Sequence, residues 1–482
     1  MTTPQEVAPG AAPLLERAFD LDVVEGSWAV TDVEGEVPPY VRGTYYLNGP
    51  SRFRRGDLAY RHWLDGDGAV TRLHFGAGGV SFTHRFVRST KWLAEEEAGG
   101  ALFRTFGTAF EGDQLKRGIA LESPANVSAF RWRDELLAFG EQGLPFSLDP
   151  ESLETRGEYT FDGRLNAVSP LSAHPCFDAA TGDMLNFGIS FSKRQPSLSL
   201  YRFDAATGDL AYRKRHPLSA PCSTHDFMIS GEHVIFYLSP YVLDVEGLMA
   251  GGKTIMDGLA WEPGRGTEML VIDKATGDRL GTVPVGDRFC LHLINAFEDG
   301  DHLVVDVLEL ERPVYGQYQV LPDLFVDEPR ALPVRRILDR KTWQVVETAE
   351  IDYTLCADFP AVDPRRDEGA YDDFWLLGIS RTGEAGRKFF DQVAHLRWSS
   401  PGAHDTWNAG NNRYLGGEPV FLGDPSDPGR GSVICQELDA EARASAFLIF
   451  DAFDIAAGPR ARLRLEHPMP LGFHAAFYPE GA

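Results

Sequence analysis

The feature that most restricts how this chain can fold is a turn written three times: Phe177-Asp-Ala-Ala-Thr-Gly-Asp183, Phe203-Asp-Ala-Ala-Thr-Gly-Asp209 and Ile272-Asp-Lys-Ala-Thr-Gly-Asp278. In each copy the first aspartate can cap the local backbone, and the glycine supplies the positive φ that lets the chain return. β-type residues flank every copy, so each reads as the tip of a hairpin. Looser versions stand at Leu148-Asp-Pro-Glu-Ser-Leu-Glu154 and Leu338-Asp-Arg-Lys-Thr-Trp343. Hairpins repeated over this span predict radially arranged sheets, a β-propeller, rather than a sandwich. The rest of the chain from residue 28 agrees: Gly43-Thr-Tyr-Tyr-Leu-Asn-Gly-Pro50 is a strand entering a turn, and His62-Trp-Leu-Asp-Gly-Asp-Gly68 places two Asp-Gly pairs at a reversal.

Charge and cysteine usage remove several classes of function. With 46 basic against 71 acidic side chains the chain carries −25, which repels phosphate backbones, so nucleic acid is not an expected partner. The five cysteines include no C-x-x-C pair, which argues against a disulfide framework or a zinc knuckle and for a reducing, cytoplasmic setting. No stretch approaches the roughly 18 apolar residues of a spanning helix, and the first residues lack a basic, then apolar, leader. Residues 1–18 are expected to be a loosely held tail, and residues 19–482 a single domain.

Four short stretches carry the chemistry: Ser172-Ala-His-Pro175, Ser223-Thr-His-Asp-Phe227, Leu291-His-Leu-Ile-Asn-Ala-Phe-Glu298 and Gly472-Phe-His-Ala-Ala-Phe477. Each sets one histidine among small, apolar or β-branched neighbours, which predicts inward-facing imidazoles. Neutral imidazole is the commonest metal ligand, so His174, His225, His292 and His474 read as a mononuclear metal centre ligated by histidine alone. The nine remaining histidines, His62 and His233 among them, are assigned to the surface or to ordinary core, and Glu95, Glu96 and Glu97 are read as solvated surface residues. Cys176 and Cys290 each lie two residues from one of the four histidines, so a mixed Cys/His zinc site is a competing arrangement.

In order, these contexts resemble the carotenoid cleavage oxygenase family, which also contains stilbene- and phenylpropanoid-cleaving enzymes and a retinoid isomerase. The likeness runs from about residue 35 to the end and includes Leu47-Asn-Gly-Pro50, His62-Trp-Leu-Asp-Gly-Asp-Gly68, Pro124-Ala-Asn126, Glu141-Gln-Gly-Leu-Pro145 and Gly417-Glu-Pro-Val-Phe421. The resemblance implies seven blades with a helical and loop cap over one face, and Fe(II) on the axis held by His174, His225, His292 and His474. It also implies three outer carboxylates, pairing Glu141 with His225, Asp358 with His292 and Glu418 with His474. The chain departs from the family at Ala357-Asp-Phe-Pro360, where glutamate is usual, so the resemblance does not fix direct contact between Asp358 and His292, for which Glu368 in the nearby charged stretch is a poorer candidate, and at Leu47, where arginine is common.

The reaction implied is O2-dependent scission of an alkene to two carbonyl products without an organic cofactor. Stilbene-cleaving relatives place lysine directly before the first outer glutamate, and this chain has Gly140 there. The expected substrate is therefore an apolar carotenoid or apocarotenoid, with stilbenes and phenylpropanoids as the alternative. Phe103, Phe106, Phe110, Phe139 and Phe146 are candidates to line its tunnel, and peripheral membrane contact is expected near residues 92–110 or 241–261. Three other readings compete: an isomerase on the same fold, a zinc hydrolase, and a propeller that binds without chemistry.

Overall fold

The computed structural model describes residues 9–318 and 321–481. Among them, seven antiparallel sheets of four or five strands form the blades of a propeller. The predicted turns are the tips of hairpins within these blades. In three of them one aspartate oxygen accepts both the backbone N–H and the hydroxyl of a threonine three residues on, at 2.8 and 3.0 Å for Asp204, 2.7 and 2.9 Å for Asp273, and 2.7 and 2.8 Å for Asp339. The glycines that follow, Gly208 and Gly277, sit at φ of +77° and +71°.

Closure of the ring comes from both ends of the sequence. The strand Ala475–Pro479 joins Gly43–Arg52 in the first blade, and Asp32–Gly35 joins Pro459–Arg464 in the last. Blades then pack face to face. The strand His233–Leu238 is buried throughout, and its alternation divides it between two interfaces. Val234 and Phe236 meet Leu185 and Leu200 of one neighbouring blade, while Ile235 and Tyr237 meet Val305 and Leu338 of the other. A strand covered on both sides is apolar at every position, which explains the continuous His-Val-Ile-Phe-Tyr-Leu run.

Two expectations are corrected. The segment expected to be a loose tail is packed from Ala12 onward: Ala12, Leu15 and Ala18 are buried in the largest core cluster. Residues 1–8 of that tail lie outside the described residues. Glu95, expected on the surface with Glu96 and Glu97, is fully buried. It lies on the inward face of the helix Thr90–Ala98, four residues after Lys91, whose Nζ donates to Glu95, Asp67 and Tyr60 at 2.7, 2.7 and 2.8 Å. This helix, Val245–Met249 and Ile255–Gly258 are short pieces of the cap, set in longer loops.

Candidate metal centre

Each of the four histidines reaches the ring from an edge strand of a different blade. His174, His225 and His474 stand just ahead of Cys176–Phe177, Met228–Ile229 and Ala475–Pro479, and His292 lies within Phe289–Asp299. Regular pairing would not aim all the required side chains, and the chain breaks register where it needs to. Register shifts fall between Cys290 and Leu293, between Asp358 and Ala361, and between Gly416 and Val420, around His292, Asp358 and Glu418 respectively. Bulges of this kind re-aim a side chain that the pleat would otherwise direct along the sheet.

One nitrogen from each of His174, His225, His292 and His474 lies within 4.8 Å of the other three. His225, His292 and His474 are buried, and only 11% of the His174 side chain is exposed. Their outer nitrogens meet carboxylates in the expected pairs: His225 Nδ1 to Glu141 at 2.9 Å, His292 Nδ1 to Asp358 at 2.5 Å, and His474 Nδ1 to Glu418 at 3.0 Å. A carboxylate that accepts from Nδ1–H leaves the Nε2 lone pair facing inward. The Nε2 of His292 is buried with no hydrogen-bond partner, which is the state of a nitrogen shaped to ligate.

Asp358 therefore reaches its histidine directly. The shorter side chain is offset by the backbone: the strand bulges at Asp358, and Phe359 takes a φ of +54° while donating its N–H to Asp358 Oδ1 at 2.9 Å. Glu368, the poorer candidate, is engaged elsewhere by Lys274 Nζ at 2.5 Å and by the N–H of Ala179 at 2.7 Å. The cysteines stay out of the cluster. Cys176 Sγ donates to the carbonyl of Phe227 at 3.4 Å and Cys290 Sγ to that of His292 at 3.2 Å, while burial holds both thiols well above their usual range. A mixed Cys/His site is not what this chain assembles.

Electrostatics favour the neutral imidazole at His174 and His474. Burial, then the rings of His225, His474 and His292, holds His174 well below the ordinary histidine range. Burial also lowers His474 by more than Glu418 raises it. For His292 burial is outweighed by the Asp358 carboxylate, and the net direction is upward. His174 Nε2 lies 2.9 Å from His225 Nε2.

The site missed in the sequence is Asp226, the residue after His225. It is buried, its Oδ2 accepts the N–H of Leu293 at 2.9 Å, and its Oδ1 stands 3.6 Å from His174 Nδ1. An Asp-Phe pair at 226–227 repeats the Asp-Phe pair at 358–359, and that echo was the available signal. His62 also carries more than ordinary core packing: its Nδ1 accepts the N–H of Leu64 at 3.0 Å, and its Nε2 meets the carbonyl of Tyr315 at 3.1 Å, whose ring is 6.0 Å from His225.

A cavity of about 400 Å³ opens beside the cluster. Glu141, the partner of His225, lines it with Ser172 and Thr224, and Phe106, Leu121 and Phe187 are among its apolar walls. A smaller pocket of about 30 Å³ shares Phe106, Leu121, Glu141 and Gln142 with it. Of the five phenylalanines considered from the sequence, Phe106 alone borders the two pockets, and Phe139 and Phe146 are core.

The family described as retinal pigment epithelial membrane protein matches residues 22–479. The chain belongs to this family, the carotenoid cleavage oxygenases. Apocarotenoid-15,15'-oxygenase from Synechocystis sp. is 29% identical over 483 residues, covering 96% of this chain and 95% of that protein. Isoeugenol monooxygenase from Pseudomonas nitroreducens is 27% identical over 474 residues, covering 93% and 94%. The structure of cobalt-substituted Synechocystis ACO matches with a TM-score of 0.87 at 26% identity, over 97% of this chain and 98% of that one. The seven-bladed propeller is thus the family's own, and this carotenoid cleavage oxygenase is an alkene-cleaving enzyme.

Proposed function

We propose that the chain is a non-haem Fe(II) dioxygenase that cleaves one C=C bond of an apocarotenoid or carotenoid with O2, giving two carbonyl products. The observation that carries this reading is the convergence of four imidazole nitrogens within 4.8 Å, with three outer nitrogens held by Glu141, Asp358 and Glu418. His174, His225, His292 and His474 would hold the iron. Four neutral ligands keep the ion dipositive and leave positions open, unlike two histidines and a carboxylate. When bound, iron supplies the electron density that activates O2.

The residues of the chain do the rest. Glu141, Asp358 and Glu418 fix each ring's tautomer and plane by accepting from Nδ1. Phe359, whose ring centre is 5.5 Å from His292 and 5.3 Å from His474, walls the cluster with apolar surface. The cavity beside Glu141 positions the alkene, and its depth would select the bond that is cut. All the atoms of O2 and substrate appear in the two carbonyl compounds, so no external reductant is required.

An apolar polyene is favoured over a phenol by Gly140. A Cβ at that position would lie 2.2 Å from Ser123 Oγ, so a lysine there, the anchor of stilbene-cleaving relatives, would have to displace that hydroxyl from its contact with the N–H of Ala125. Cleavage of stilbenes or propenylphenols is the second reading, favoured by the isoeugenol monooxygenase relative. A lipid-soluble substrate would enter from a membrane surface. Val168 at the cavity mouth is 51% exposed and Met249 on the cap is 72% exposed. Phe106 and the pair Ile255 and Leu259 bring both expected entrance segments to the cavity. Among the described residues no helix is long and apolar enough to cross a membrane, so such contact would be peripheral. All five cysteines are free, in keeping with the reducing, cytoplasmic setting proposed.

The test is anaerobic reconstitution with Fe(II), then carotenoids, apocarotenals, stilbenes and propenylphenols under labelled O2, with products identified by mass. Labelled carbonyl fragments of an apocarotenal support the proposal. An unfragmented product of unchanged mass would identify an isomerase, and no turnover of any alkene would leave a binding propeller.

A further inference from the structure

Three of the four histidines have a carboxylate on the outer nitrogen, and the fourth, His174, faces Asp226. We infer that Asp226 is the positioning residue of His174, completing a set of four histidines and four carboxylates. This rests on the metal reading above and adds to it a residue that reading does not use.

The geometry of Asp226 repeats that of Asp358. In each, Oδ1 accepts the N–H of the phenylalanine that follows, at 2.8 Å from Phe227 and 2.9 Å from Phe359. In each, the same Oδ1 faces a histidine Nδ1, His292 at 2.5 Å and His174 at 3.6 Å. The following N–H pins the carboxylate, so its free lone pairs are aimed before any histidine approaches. Asp226 is further fixed by Leu293, whose N–H donates to Oδ2 at 2.9 Å. One side chain therefore ties together the segments of three ligands: it is bonded in sequence to His225, holds the residue after His292, and faces His174.

Neutral tautomers account for the difference between 2.5 and 3.6 Å. When His225 donates from Nδ1 to Glu141, its Nε2 is an acceptor, and His174 is then the donor in the 2.9 Å contact between the two Nε2 atoms. His174 Nδ1 is then a bare lone pair, and a lone pair is repelled by a carboxylate oxygen. An imidazole that ligates through Nε2 must instead carry its proton on Nδ1, and ligating histidines almost always donate that proton to a carboxylate, a carbonyl or water. Asp226 Oδ1 is the carboxylate oxygen facing His174 Nδ1. Moving the His174 proton from Nε2 to Nδ1 turns the repulsion into a charge-assisted hydrogen bond, and no proton is gained or lost.

Two measurements test this. In the structure of the wild-type protein loaded with Co(II), the His174 Nδ1 to Asp226 Oδ1 distance should close to about 3 Å. A separation that stays at 3.5 Å or more overturns the inference. Independently, Co(II) affinity is measured by anaerobic calorimetry for wild type, Asp226→Asn, His174→Ala and the double variant, with the ligand-field spectrum recorded for each. Asp226→Asn should weaken Co(II) by about 10-fold or more and shift the spectrum, while in the His174→Ala background the same change should have little further effect. Equal weakening in both backgrounds would make Asp226 a purely structural residue. If Asp226→Asn does not fold, the cobalt-loaded wild-type structure decides alone. Failure of wild type to take up any metal would instead refute the four-histidine reading itself.

Discussion

Replacing Asp358 by asparagine isolates the charge that the bulged backbone brings to His292. The amide keeps the shape and can still accept from Phe359 N–H, so the 2.9 Å turn contact survives. What is lost is the negative end of the 2.5 Å contact with His292 Nδ1. Hydrogen bonds to a charged group are worth about 1.5–3 kcal/mol, which converts to roughly 10- to 150-fold in metal affinity. Asp358→Glu should not repair the family pattern. Its extra methylene pushes the carboxylate about 1.5 Å into a ring already in contact, in a residue only 6% exposed, and overpacking of this kind costs about 1–3 kcal/mol. The assay is anaerobic Fe(II) titration by calorimetry, beside thermal unfolding of the metal-free protein to separate binding from folding. An asparagine variant that binds iron as tightly as wild type, or a glutamate variant that binds more tightly, would refute direct pairing by a compensating backbone.

Other outcomes follow from the same structure. Lys91→Met strands Asp67 and Glu95 in the interior, although Arg55 stays beside both, and should cost about 3 kcal/mol in denaturant unfolding; an unchanged midpoint would contradict the buried network. Burial lowers His62 and His84 from 6.5 to about 4, so the folded state favours their neutral forms. Their contribution is full above pH 6.5 and is lost as pH falls toward 4, about 3 kcal/mol each, and the acid limb of a Tm profile should be shallower in a His84→Leu variant. Gly140→Lys should lower Tm without conferring cleavage of phenols, because its Cβ meets Ser123 Oγ, and Ser123→Gly should relieve the loss; a stable, phenol-cleaving single variant would overturn that argument.

What could be read in the sequence was what local chemistry fixes. The Asp-x-x-Thr-Gly turns are decided within six residues, so the hairpins and the propeller were legible. The pairing of Glu141 with His225 and of Glu418 with His474 came from the resemblance, and contacts of 2.9 and 3.0 Å fit it. Asp358 stayed open because a bulge depends on how two strands meet, and no local signal reports it. Glu95 was misread for a similar reason: a Glu-Glu-Glu run looks solvated until the helix turns one of the three onto Lys91 and Asp67. Ala12 and Leu15 were taken for tail because a short apolar pair shows nothing of the surface it covers. Asp226 was hidden in plain view beside His225, since its meaning comes from Leu293 and His174, residues 67 and 52 positions away.

The most direct test of the account is iron occupancy in the protein reconstituted anaerobically with Fe(II) and freed of excess metal. Wild type should hold one iron per chain, and replacing any one of His174, His225, His292 and His474 by alanine should weaken metal binding enough to leave occupancy and alkene cleavage far below wild type while the propeller stays folded. Full occupancy and turnover in any of the four variants would contradict the four-histidine centre at that position.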